Sequence, residues 1–355
     1  MATAKKIPAI LLSLTLSFGL LSGCASNSKS PKTSEGTAPI TNQASQAKEF
    51  KVGLVSDTGG VNDHTINQLA YSGLKTAEAT LGVKTSLIQS KSASDYVPNI
   101  TRFAQDGYDM IIVVGFTMSD AVTQLSKQYP QTKFVILDQS IDNIPNVAGV
   151  TFKTEECGYL VGALVGLLKQ GNKVPGLNEK NVVGVVGGLP IPPVDSYIAG
   201  FQQGVQKTNP KVAVNVKYAG KFDDAALGSQ ITQQLISEGS DFVFPVAGGT
   251  GNGVINAAKS ANIYAIGVDA DQNYLAPNTV ITSAMKNVDK ATVDMIKDAK
   301  EGYFKSGTKS FDLSNGGVSF VSNTQLVPKE ILDQVTSLIG DIKSGKIQIS
   351  PIVKK

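Results

Sequence analysis

Residues 52–74 read VGLVSDTGGVNDHTINQLAYSGL, and the order of their parts decides the fold. Val52–Val55 is a short apolar run that predicts a buried strand. A polar loop follows, with Asp57, Thr58, Asn62, Asp63 and Asn67 grouped around Gly59 and Gly60. Over 64–81, Ile66, Leu69, Ala70, Gly73, Leu74, Ala77 and Leu81 recur at helical spacing. Strand, loop and amphipathic helix in that order open an α/β sheet. The loop has no phosphate-loop spacing, no metal-ligand spacing and no catalytic triad. A dense set of neutral and acidic hydrogen-bonding groups suits reversible recognition of a polar, uncharged small molecule.

The same alternation continues along the chain. KVGLV, VKTSLI, MIIVVG, KFVILD and VAGVTF are short runs rich in Val and Ile. Runs of this kind suit parallel strands covered on both faces by helices. A second series repeats the plan: NVVGVVG, VAVNVKY, DFVFPV and IYAIGVD, with helices expected over 194–208, 223–238 and 252–261. MIIVVGFTMSDAV (110–122) and DFVFPVAGGTGNGV (241–254) share a layout of strand, glycine turn and helix start. Each is followed by a strand ending in aspartate, Asp138 and Asp269. The expectation is two similar Rossmann-like α/β domains facing each other across a hinge. The first lobe spans 48–152 and is completed by about 285–305; the second spans 153–280 and is completed by about 306–355. FDLSNGGVSFV (311–321) reads as strand-like, and a last helix falls near 328–345.

The chain has 355 residues and a net charge of +3, with scattered basic residues. No clustered basic face marks a nucleic-acid binder. Lys5 and Lys6 precede an apolar run, Ile7 to Leu21, and then Leu21-Ser22-Gly23-Cys24. A charged start, a short apolar core and small residues describe a secretory signal over 1–23. A cysteine at the cut resembles a bacterial lipobox, which implies that Cys24 is diacylated and anchors the chain to the extracytoplasmic face of a cell membrane. Residues 25–47 contain almost no large apolar side chains and read as a flexible tether. The other cysteine, Cys157, lies on the apolar face of a helix pattern with Leu160, Val161, Leu164, Val165 and Leu168. It is expected to be a buried thiol without a disulfide partner.

In open parallel sheets, ligands bind outside the carboxyl ends of the strands. Polar groups collect at those ends: Asp57, Gly115 and Asp138 in the first half, Gly187–Gly188, Gly248–Gly249 and Asp269 in the second. Two facing lobes would bring all of them to one cleft. Two readings fit the aspartates, sugar-hydroxyl acceptors or caps of the following turns and helices. Two also fit GGTGNG (248–253), whose glycines either let backbone N–H groups approach a ligand or simply turn the chain. His64, the only histidine, reads as an exposed or capping residue, and Asp223–Asp224 as a helix N-terminus. No catalytic set, metal site or cofactor site is nominated.

SDTGGVNDHTINQLAYSGL, FKTEECGYLVGALVGLL and above all VAGGTGNGV…IGVDADQ…TSAMK resemble the basic membrane lipoprotein family over roughly residues 49–350. The resemblance implies a type I periplasmic-binding-protein fold and a substrate-binding lipoprotein that delivers purine nucleosides to an ABC permease, acting as a monomer. It further implies that Asp57 hydrogen-bonds the base, that Asn67 and Asp138 belong to the site, and that Tyr197 stacks on the base. Gly249 and Asp269 would contact the ribose, with Lys286 near the sugar hydroxyls. Ile66 stands where the family has a phenylalanine that stacks on the base. This departure keeps in view a receptor for a sugar or sugar-derived signal; a surface regulatory or adhesion protein that retains the fold is a separate alternative.

Overall fold

The computed structural model describes residues 48–353. The signal expected over 1–23, Cys24 and the tether lie outside the described residues. Those described contain two six-stranded sheets.

The first sheet holds β1 (Lys51–Ser56), β2 (Lys84–Gln89), β3 (Met110–Val114), β4 (Lys133–Leu137) and β5 (Val147–Phe152). The second holds β6 (Val182–Gly187), β7 (Ala213–Tyr218), β8 (Phe242–Val246), β9 (Tyr264–Asp269) and β10 (Val280–Lys286). Two later strands, β11 (Gly307–Phe311) and β12 (Val318–Ser322), complete them. The strand orders are β11-β5-β4-β3-β1-β2 and β12-β10-β9-β8-β6-β7, the same winding twice. Every pairing is parallel except β12 on β10. Apolar runs such as MIIVV are buried at every position, as strands covered on both faces require.

The helices that cover the sheets are α1 (Ile66–Leu81), α2 (Tyr96–Gln105), α3 (Ser119–Gln128), α4 (Thr154–Lys169), α5 (Pro192–Thr208), α6 (Ala225–Ser237), α7 (Thr250–Ser260), α8 (Val288–Lys300) and α9 (Lys329–Lys343). Helices α4 and α5 touch backbone to backbone. A Cβ on Gly158 or Gly162 would lie 2.4 or 2.3 Å from the carbonyl oxygens of Tyr197 and Phe201. One on Gly200 or Gly204 would lie 2.1 Å from those of Glu155 and Tyr159. Only glycine permits that approach, and it fixes where α5 presents Tyr197.

The C-terminal part departs from the sequence reading. FDLSNGGVSFV is not one strand. Phe311 ends β11 in the first sheet and Val318 begins β12 in the second. Between them Asp312 Oδ1 accepts the N–H groups of Ser314 and Asn315, and Gly316 takes φ 73°, which turns the chain. The segment returned to the first lobe is therefore 288–311 rather than 285–305: Gly73 of α1 abuts the backbone of Asp289 in α8, and β11 pairs with β5. The second lobe keeps β10 through Lys286, past the expected limit of 280. Three crossovers, after β5, β10 and β11, join the lobes.

Candidate functional site

The carboxyl ends of both sheets face one cavity between the lobes. Asp57, Ile66, Asn67, Gly115, Phe116 and Asp138 line it from the first lobe; Tyr197, Phe222, Gly248, Gly249, Asp269 and Lys286 line it from the second. All eight residues nominated for the site thus reach the same space. Gly187 and Gly188 do not line it. Gly188 instead gives room to a side chain that does: a Cβ there would lie 2.1 Å from Phe222 Cε1.

The first loop is organised by Asp63, which is 4% exposed. Its carboxylate accepts from the N–H groups of Thr65, Asn67 and Gln68, from Thr65 Oγ1 and from Asn67 Nδ2. The three N–H groups are otherwise unpaired backbone donors at the start of α1. Asn67 then holds Asp57: its Nδ2 donates to Asp57 Oδ1 at 2.7 Å and its Oδ1 accepts the Asp57 N–H at 3.1 Å. With both Nδ2 donors used internally, Asn67 positions Asp57. Gly59 N–H also donates to Asp57 Oδ1, at 2.8 Å. Burial pushes the Asp57 carboxyl up to about 6, and the like charges of Asp63 and Asp223 add to this against the bonds from Gly59 and Asn67.

The opposite end is an ionic cluster drawn from both lobes. Lys286 Nζ lies 2.6 Å from Asp138 Oδ2 and 3.3 Å from Asp269 Oδ1. Tyr197 donates its hydroxyl to Asp269 Oδ1 at 2.9 Å. The two aspartates stand at equivalent ends of β4 and β9 and both are left-handed, with φ 61° and 64°. That backbone is uncommon for a residue with a side chain. Burial raises the Asp269 carboxyl, with Lys286 opposing. Burial works against the Lys286 charge as well, but Asp138 and Asp269 more than offset it and its pKa rises. Among the described residues, Asp138 Oδ1 and Asp269 Oδ2 take no part in these contacts.

Tyr197 is 1% exposed and meets Phe244 edge-on at 6.1 Å. Most of its ring is committed to packing. Larger aromatic faces come from Phe116 in the turn after β3 and Phe222 in the loop after β7, both partly exposed. The sequence reading nominated neither Phe116 nor Phe222 for the site. The signal for Phe222 was a lone aromatic in the polar GKFDD loop at a strand's carboxyl end. Asp224 next to it caps α6, accepting the Leu227 N–H at 2.9 Å. Cys157 is free and buried, and burial pushes its thiol up.

Two wound lobes with an apolar-walled, polar-ended cavity at their strand ends define a solute-binding protein of the periplasmic-binding-protein fold. The profile of a family described as ABC transporter substrate-binding protein PnrA-like, Bmp, matches residues 50–352, and the chain belongs to that family. It is 34% identical to a CD4+ T-cell-stimulating antigen of Listeria monocytogenes, over 97% of this chain and 98% of that one. It is 32% identical to an ABC transporter nucleoside-binding protein, BmpA, of Lactococcus lactis, over 97% and 99%. Among solved structures, an ABC transporter solute-binding protein of Aeropyrum pernix superimposes with a TM-score of 0.78 at 27% identity, covering 86% of this chain and 94% of that one. Members of the family are in general binding proteins rather than enzymes, and the family implies a ligand and a membrane permease.

Proposed function

We propose that this protein binds a nucleoside, a purine nucleoside in the first instance, between its lobes and presents it to an ABC permease for import. The observation that carries this reading is the two-ended cavity. One end offers carboxylate oxygens on Asp138 and Asp269 for sugar hydroxyls, and charge-assisted bonds of this kind are the stronger sort. The other offers Phe116, Phe222 and Ile66 as apolar walls and Asp57 as a polar contact for a base. The nucleoside-binding relative in Lactococcus lactis supports the same ligand class. Gly249, the N-cap of α7, lines the cavity with no side chain to hold a ligand away. Binding from both lobes stabilises the closed form, which the permease then engages.

Acylation of Cys24 would tether this lobed unit to the extracytoplasmic face of the cell membrane through residues 25–47. Isothermal calorimetry of the protein with adenosine, guanosine, inosine and uridine tests the assignment. Saturable heat with at least one purine nucleoside is the expected result; silence with all four, by heat and by thermal shift, refutes it. A sugar or sugar-derived ligand is the second reading, favoured by the hydroxyl-directed Asp138–Lys286–Asp269 cluster and by the aliphatic Ile66. Heat with sugars alone would select it.

A further inference from the structure

His64 lines no part of the cavity. It closes the first loop of the first lobe with φ 61°, a conformation that few residues with side chains adopt. From this turn it meets the second lobe twice. Its carbonyl accepts from Gln272 Nε2 at 3.1 Å, and its Nδ1 shares a hydrogen bond with the Tyr274 hydroxyl at 2.8 Å. The two rings stand edge to face at 6.0 Å.

Gln272 is the last residue of the GVDADQ run and is 2% exposed. Its Oε1 accepts the Val268 N–H at 3.0 Å, one residue before Asp269, and its own N–H donates to Ser283 Oγ at 3.2 Å. The amide is therefore oriented from within the second lobe, with its NH2 aimed at the first. Opening the lobes exchanges that bond for one to water, which loses the modest net gain of a protein–protein hydrogen bond. Tyr274 is 56% exposed, so its ring is not held there by core packing.

We propose that His64, Gln272 and Tyr274 form an interlobe clasp, outside the ligand cavity, that holds the closed form and slows ligand release. The clasp rests on the site being a binding cleft and is independent of which ligand fills it. Its three members act as positioning residues. They touch no ligand, and they set affinity through the fraction of molecules in the closed state.

The test reads that fraction without ligand. In the full chain carrying Cys24→Ser, spin labels are placed through Lys91→Cys in the first lobe and Lys259→Cys in the second, both exposed positions. The interlobe distance distribution then reports open and closed populations. Tyr274→Phe removes one hydroxyl at the surface, and His64→Asn removes the ring while tolerating the left-handed turn. Each is expected to raise the open-to-closed ratio about five-fold, the scale of one neutral hydrogen bond. The double variant should do no more than the stronger single, because both remove the same bond. With a bound nucleoside, the dissociation rate should rise by a similar factor and the association rate stay within about two-fold. An unchanged ratio in both single variants, or effects that multiply in the double, overturns the clasp. Should no nucleoside bind the parent protein, the ligand-free populations still decide the clasp, while the nucleoside reading alone fails.

Discussion

Replacing Lys286 by methionine tests the ionic cluster most severely. The substitution keeps a long side chain and removes the one cation that, among the described residues, lines the cavity with the carboxylates. At an effective dielectric of about 20, a unit pair is worth about 6 kcal/mol at the 2.6 Å separation from Asp138 and about 5 kcal/mol at the 3.3 Å separation from Asp269. Burying the three charges takes back several kcal/mol each. The intact cluster is therefore close to balanced, and what matters is what remains when its centre is gone. Two carboxylates would then face each other, and removing one partner of a buried pair typically costs about 3–5 kcal/mol.

The pH dependence gives this prediction a sign. Without Lys286, the burial that already raises the Asp269 carboxyl acts without that opposing charge, so its folded-state pKa lies above the unfolded carboxylate range. The folded state then binds more protons at Asp269, so stability falls as pH rises through its folded value and returns as pH falls toward about 4. Urea unfolding of Lys286→Met and the parent protein, from pH 4.5 to 8, should show a deficit of about 3 kcal/mol near pH 7.5 that shrinks on acidification. Adding Asp138→Asn should restore part of the loss by removing one of the two charges. A deficit below about 1 kcal/mol with no pH dependence would refute the reasoning, because the cluster would then be acting as an exposed, screened set of charges.

Four further outcomes are expected. Asp269→Ala should weaken ribosides about ten- to hundred-fold, more than it weakens free bases, in a calorimetric comparison of the two ligand sets; equal losses would contradict the sugar assignment. Gly188→Ala, which touches no ligand, should displace Phe222 and lower nucleoside affinity about ten-fold in the same assay, the scale of one base–aromatic stack. Asp57→Asn should stabilise the ligand-free protein by about 1–3 kcal/mol above pH 6, measured by urea unfolding. The raised carboxyl of Asp57 contributes stability that is present below the unfolded pKa and lost as pH rises through about 6, so the gain should vanish near pH 4. Cys24→Ser should move the protein from the membrane to the soluble fraction of fractionated cells, since the expected acyl chains would be its anchor.

Much of this architecture was legible because its signals are local. Buried parallel strands announce themselves as apolar runs, and an aspartate at a strand's end needs no partner to be noticed. Asp138 and Asp269 could be matched as equivalents from FVILD and AIGVD alone. What stayed hidden depends on distance along the chain. Lys286 meets Asp138 across 148 residues, a pairing that no spacing rule contains. Phe222 was passed over because its loop reads as a helix start, and Asp224 does serve as that cap. Its role in the wall appears only once Gly188, at the end of a neighbouring strand, leaves room for the ring. FDLSNGGVSFV misled for a related reason. Both halves are β-formers, and only the turn at Asp312–Gly316 sends them to different sheets.

Charge argues further for a neutral ligand. Asp57, Asp63, Asp138 and Asp269 line the cavity, against Lys286, and Lys286 already contacts two of them. A phosphate brought to this space would meet carboxylates with no free cation among the described lining residues to answer it, and like charges repel strongly at low dielectric. A sugar hydroxyl faces the opposite situation, since it donates to a carboxylate oxygen that has nothing better to accept. On the proposed reading, the cluster that disfavours an anion would also couple the ligand to closure. Asp138 belongs to the first lobe, Lys286 and Asp269 to the second, so a hydroxyl bound between the two aspartates is held only when the lobes have met. On the proposed reading, selection for an uncharged polyol and selection for the closed form would thus be made by the same three side chains.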